Sequence, residues 1–164
     1  MRRQIRGGGR AGVAAVEFGL LAPFLFALCA GLADFGFAFH NQLQLSSTLA
    51  AAAQYAFTQG QSESGSTLTS DVAGFVNNVS PIKLSSATAS YNHGLSASSC
   101  YCVDGSPPVY TGPVTCGAAC TDGSGSTAGK YVSISGSFSY TPIFPLDQVF
   151  FGGAFTQTVT ARLQ

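Results

Sequence analysis

The chain has 164 residues, of which 9% are charged and 46% hydrophobic, with no tryptophan and a formal net charge of zero. That neutrality is uneven: Arg2, Arg3, Arg6 and Arg10 supply four of the seven basic residues, while beyond residue 34 only Lys83, Lys130 and Arg162 stand against Glu63, Asp71, Asp104, Asp122 and Asp147. A nucleic-acid binder needs a basic face in its folded part, and this composition excludes one.

Residues 13–33, VAAVEFGLLAPFLFALCAGLA, form an apolar run with one charge, Glu17. Its length meets the roughly 20 helical residues needed to span a bilayer core. Arginines precede it and no basic residue follows until Lys83, so the positive-inside rule places the N-terminus in the cytoplasm and residues from Asp34 onward outside. The helical pattern continues past the run. Apolar residues recur at Phe35, Phe39 and Leu43, then at Leu45, Leu49, Ala53 and Phe57, with no Gly or Pro between Gly36 and Gly60. These spacings predict one helix from Val13 to Thr58, roughly 70 Å long at about 1.5 Å per residue.

Residues 59–66, QGQSESGS, read as a polar turn. Leu68, Val72, Phe75, Val76 and Val79 then predict an amphipathic second helix that Pro81 ends. Strand patterns follow at 82–91, at 131–140, where Val132, Ile134, Phe138 and Tyr140 alternate with serines, and at 155–163, where Phe155, Gln157, Val159, Ala161 and Leu163 alternate with threonines. Such alternation marks half-buried antiparallel strands. Residues 102–129 read as a loop rich in Gly, Ser, Pro and Cys, and YTPIFPL (140–146), with two prolines, as a bend or edge. The expected fold is α+β: a long N-terminal transmembrane helix extends into a head with a second short helix and a small antiparallel sheet. Packing the outer half of the long helix on the sheet supplies much of the head's core.

Four of the five cysteines, Cys100, Cys102, Cys116 and Cys120, cluster in the exported part, and Cys29 lies in the apolar run. The four are disulfide candidates, because an exported compartment oxidises such thiols and C-x-C is tight for a zinc site. The connectivity stays open; nested Cys100–Cys120 with Cys102–Cys116 suits a pinned hairpin, while bridging Cys100 to Cys102 is strained.

Glu17 decides how the N-terminus is read. A cleaved secretory signal at GLA (31–33) is opposed by an apolar region longer than such signals use and by the carboxylate within it. A lipoprotein signal ending at Cys29 has Leu28 where a small residue belongs. A plain anchor would let Glu17 reach the headgroups. The remaining reading is a signal cut on the cytoplasmic side of the apolar segment. RAGVAAVEFGLLAPFLFALCAGLADFG (residues 10–36) carries a basic leader, a glycine, four mostly small apolar residues, Glu-Phe and a long apolar run. It resembles the N-terminus of the TadE-like pseudopilins of the tight-adherence (Flp, type IVc) pilus system. The YTPIFP segment, a following short strand and Arg162 are also similar to the family's C-terminal half, whereas 49–57 lacks the arginines that members carry there.

The resemblance implies a pilin-like head and cleavage between Gly12 and Val13 by a prepilin peptidase, making Glu17 the fifth residue of the mature chain. Membrane lipid, other pilus subunits and the assembly platform with its secretion ATPase are the implied partners. The physics of the segment agrees. Cleavage removes all four arginines and creates an ammonium four residues from Glu17, on the same helical face. A carboxylate near the bilayer centre costs about 2.5–3.5 kcal/mol, so it needs such a partner. Glu17 is the candidate assembly and recognition residue. Pro23 is the candidate helix kink, since it cannot bond the carbonyl of Gly19.

The remaining residues point away from catalysis. His40 and His93 lack carboxylate or cysteine neighbours at catalytic or ligand spacing, and G-x-S-x-G, H-E-x-x-H and phosphate-loop motifs are absent. No cofactor, metal, nucleic acid or small-molecule substrate is expected. The expected organisation is a leader at 1–12, a transmembrane helix at 13–33, a helical extension at 34–59 and an exported α+β head at 60–164, with its cysteine-containing loop at 100–129. The expected location is a bacterial inner membrane, with a single pass and the head periplasmic or extracellular, and incorporation into a pilus left open. The rival function is an uncleaved, membrane-anchored binding module in the periplasm or on the cell surface.

Overall fold

The structure, a computed structural model, describes residues 10–60, 65–105, 107–121, 125–143 and 153–163. The predicted long helix is present as α1 (Arg10–Gln59), starting three residues earlier and ending one later than the spacing predicts. Gly60 closes it, its N–H donating to the carbonyl of Ala56 at 2.8 Å. A Cβ on Gly60 would stand 2.7 Å from Leu163 Cδ2 and 2.6 Å from the Ala56 oxygen, so glycine lets the end of the last strand close over the helix terminus.

Outside the apolar run, α1 turns one stripe to the head: Ala38, Leu45, Leu49, Ala52 and Ala56 are buried, together with Asp34 and Thr48. Phe35, Phe39, Leu43 and Phe57 continue the apolar spacing seen in the sequence, yet each is about half exposed. A helix laid on one side of a small head has only part of its circumference covered, and here the narrower residues take the covered part. The second helix, α2 (Ser66–Val79), buries Leu68, Val72 and Val76. Phe75 stacks on Tyr55 of α1 at 4.8 Å between ring centroids, while Val79 stays half exposed.

Strands β1 (Ser86–Tyr91), β4 (Tyr131–Tyr140) and β5 (Gly153–Arg162) form an antiparallel sheet in the order β1-β4-β5. The first is shorter than the 82–91 pattern; Ile82 and Leu84 instead pack as partly buried residues on the core. Ile134 faces Ala89 on one side and Val159 on the other, and the Phe138 and Phe155 rings stack at 5.3 Å. The core lies between this sheet and the two helices and contains Leu45, Leu49, Leu68, Val72, Val76, Val132, Ile134, Phe138 and Leu163. Gly136 sets how closely α1 approaches: a Cβ there would lie 2.9 Å from Leu45 Cδ1 and 3.4 Å from Leu49 Cδ2.

Residues 102–129 are not simply a loop. Strands β2 (Cys100–Asp104) and β3 (Val109–Val114) pair there as a separate antiparallel hairpin. The residue pattern hides β3, because Gly112 and Pro113 interrupt it and most of its side chains are exposed. The disulfides are Cys100–Cys116 and Cys102–Cys120, interleaved rather than nested. The register explains why. Cys100 already faces Val114, so Cys116, two residues on, lies beyond Cys100 and not back beside Cys102. The chain then reverses at Gly117, whose φ of 80° suits glycine, and Cys120 reaches Cys102. Backbone bonds from Gly117 to Ala128 and from Ala128 to Ala118 hold the reversal.

A buried asparagine joins the hairpin to the sheet. Asn92, at φ 46° in the 3-10 turn Asn92–Gly94, donates through Nδ2 to the carbonyls of Ser96 and Ser99 and accepts through Oδ1 from the Tyr131 N–H. Asparagine tolerates this left-handed conformation better than most residues.

Candidate functional site

The first half of α1 is apolar on all sides and uncovered. Phe18, Leu20, Phe24 and Phe26 expose 66%, 76%, 71% and 74% of their surface. A soluble helix would hide such residues against a core; here the head does not reach them. Gly12–Gln59 is long and apolar enough to cross a membrane, and its most apolar window is entirely unburied.

Gly12 and Val13 are the third and fourth residues of α1, at the end of its first turn, with an exposed backbone position and an exposed side chain respectively. Glu17 follows one turn later, also exposed, on the Val13 face. The helix continues without interruption through Pro23, although the covalent structure of proline leaves the Gly19 carbonyl without its usual donor. These four positions share one helix segment. The cysteines lie elsewhere, in the β2–β3 hairpin and the turn after it, so the two groups do not make one site. Cys29 is a free, exposed thiol within the apolar run.

Where the apolar run ends, the head returns to the helix. Asp34 is fully buried. Its Oδ1 accepts the Tyr140 hydroxyl at 3.1 Å and the backbone N–H of Ile143 at 2.9 Å. The same hydroxyl lies 3.0 Å from the Asp34 backbone oxygen. The end of β4 and the three residues after it are thus pinned to α1 one residue beyond Ala33. Sequence reading treats Asp34 only as the polar end of a span and YTPIFPL only as a bend. The available signal was the stripe: Asp34 stands at i−4 from Ala38 and i−11 from Leu45, both on the buried face. Of the YTPIFPL segment, residues 144–146 lie outside those described.

Elsewhere the head offers little chemistry. His40 is exposed and 2.9 Å from Gln44 Nε2, and His93 stacks on Tyr110 at 5.6 Å in an exposed turn. A shallow groove beside the Cys100–Cys116 bridge is lined by Ser98, Ser99, Pro113, Val114, Thr115 and Ala118, with no ionisable side chain. Among the described residues, no three His, Cys, Asp or Glu side chains are grouped to hold a metal ion.

Residues 12–54 match the family described as TadE-like protein. That segment runs from Gly12 through the first turns of the head-facing stripe, and over it the chain is similar to that family. No curated protein and no solved structure matches the chain.

Proposed function

We propose that this TadE-like chain is a structural pseudopilin of a tight-adherence (type IVc) pilus or a related secretion apparatus. The observation that carries the reading is a helix whose first half is exposed and apolar all round, with a single carboxylate one turn past Val13, inside the segment that matches the family. A prepilin peptidase removes residues 1–12 on the cytoplasmic face. Residues 13–33 cross the inner membrane, 34–59 extend the helix, and 60–164 form the exported head.

Glu17 serves twice in this reading. It marks the substrate for processing, and it pairs with the Val13 ammonium of its own or a neighbouring chain once the leader has gone. The helix N-terminus adds roughly 0.3–1 kcal/mol in favour of the negative charge when exposed. Pro23 loosens one turn so that helices curve as they pack. The partners are lipid, the peptidase, other pilus subunits and the assembly platform.

Mass spectrometry of the membrane-bound form tests this reading. Its N-terminus is expected at Val13; intact Arg2–Arg10 would favour the uncleaved binding module, and a start at Asp34 would mean secretion. Glu17→Ala should leave membrane insertion unchanged and abolish assembly, and unaltered piliation would remove Glu17 from its role.

A further inference from the structure

This inference rests on reading α1 as the membrane-crossing helix. Asp34 follows the apolar run directly, and through it the head is tied to α1 at that height. Ile143 is held there by its backbone N–H, 2.9 Å from Asp34 Oδ1, yet its side chain remains 64% exposed. Phe35, Phe37 and Phe39 lie on the next turn and are 52%, 54% and 52% exposed. At about 1.5 Å per residue they stand no more than roughly 8 Å beyond Asp34 along the axis. The interfacial layer on each side of a bilayer core is about 5–8 Å thick, so all four side chains fall within it.

Their angular placement is complementary. At about 100° per residue, Phe37 and Phe35 flank the direction of Asp34 on the helical wheel. In the Asp34 sector itself the α1 side chain one turn on is the small, buried Ala38, and the backbone of Ile143 is held there by Asp34. Aromatic and aliphatic groups at this depth anchor membrane proteins to the interface.

We infer that the head makes a second, peripheral contact with the bilayer, in which Ile143, held by Asp34 and Tyr140, inserts into the outer interfacial layer beside Phe35, Phe37 and Phe39. Lipid of the same bilayer is the occupant, because the surface is continuous with the lipid-facing surface of α1, which ends one residue away. The contact fixes the tilt of the head on the membrane before any assembly.

The test uses the full chain with Cys29→Ser, reconstituted in phosphatidylethanolamine–phosphatidylglycerol vesicles and nitroxide-labelled at a single introduced cysteine. Accessibility to oxygen and to a water-soluble nickel chelate is read for Ile143→Cys, Phe35→Cys and Leu25→Cys. The Ile143 label should show the oxygen-rich, nickel-poor signature of the interface, at a depth close to that of the Phe35 label. Adding Asp34→Ala, which removes the acceptor of the residue-143 amide, should raise its nickel accessibility several-fold and leave the Leu25 label in lipid. An aqueous Ile143 label with a lipid-embedded Leu25 label overturns the inference alone. An aqueous Leu25 label overturns the membrane-crossing reading and the inference with it. An Ile143 label shielded from both reagents, with spin–spin broadening that dilution by unlabelled chain removes, assigns the surface to a second copy and overturns the lipid contact.

Discussion

Replacing Asp34 by alanine is the sharpest test of how the head is fixed to its helix. The substitution removes the carboxyl oxygen that accepts both the Tyr140 hydroxyl and the Ile143 N–H. Tyr140 keeps the Asp34 backbone oxygen at 3.0 Å, so the group that loses the acceptor described here is the Ile143 amide. The Ile143 amide hydrogen bond is part-buried, so losing its acceptor costs about 1–2 kcal/mol, and weakening the shared hydroxyl bond adds up to about 1 kcal/mol. The expected loss is therefore about 1–3 kcal/mol. Asp34→Asn, which retains one accepting oxygen, should lose less. Tyr140→Phe should cost about 1 kcal/mol, and the two residues should couple in a double-mutant cycle, since they share one bond. Urea titration of the full chain in non-ionic micelles, followed by near-ultraviolet circular dichroism, measures the stability. Hydrogen exchange at the Ile143 amide reports the local bond. Unchanged midpoints together with an unchanged Ile143 exchange rate in Asp34→Ala would refute the clamp.

Three further outcomes follow from the head. Gly136→Ala places a methyl group 2.9 Å from Leu45 Cδ1 in a filled core, and overpacking of that kind should lower the urea midpoint by the equivalent of about 1–3 kcal/mol. Digestion under non-reducing conditions, with chymotrypsin cutting after Tyr101 and Tyr110 and elastase cutting within residues 117–119, should release Cys100 linked to Cys116 and Cys102 linked to Cys120 as separate pairs; replacing either pair by serine should cost about 2–4 kcal/mol. Burial raises the Tyr91 hydroxyl above its usual 10.0, so the folded head favours the neutral phenol more than the unfolded chain does. That contribution is complete below pH 10 and is lost as the pH rises toward the higher folded value, at up to about 1.4 kcal/mol per pH unit. Tyr91→Phe should flatten this part of the alkaline stability curve, and an unchanged slope would contradict it.

Much of the fold is legible in the sequence because its elements have clean periods. The long helix carries no breaker between Gly36 and Gly60, and β4 alternates Val132, Ile134 and Phe138 with serines, so length and period decide both. The β2–β3 hairpin is not legible in that way: Gly112 and Pro113 break the β3 pattern, and its exposed side chains have no burial to advertise. The disulfide pairing depends on a register that places Val114 opposite Cys100 and on a reversal at Gly117, neither of which cysteine spacing encodes. Glu17 and the apolar run stand out locally. The Asp34 clamp does not, because its partners lie 106 and 109 residues away in the chain and only the folded head brings them together.

That clamp divides α1 into two parts with different energetics. Beyond Asp34, the helix buries a stripe of small and branched residues on the head, and its share of stability belongs to the head's own core. Before Asp34, at least Val13, Val16, Phe18, Leu20, Leu21, Phe24, Leu25, Phe26, Leu28 and Leu32 are half or more exposed. Fully burying one such side chain is worth about 1.5–3 kcal/mol, so even for surfaces half to three-quarters exposed the ten together represent a term comparable to the 5–15 kcal/mol that typically holds a whole domain folded. The environment of this half-helix therefore dominates where the molecule can reside. On the proposed reading, the chain leaves the bilayer only into surroundings that are apolar on every side of this half-helix. Within such surroundings Glu17, the one carboxylate of that segment, is on the same reading the group whose pairing separates one axial position from the next.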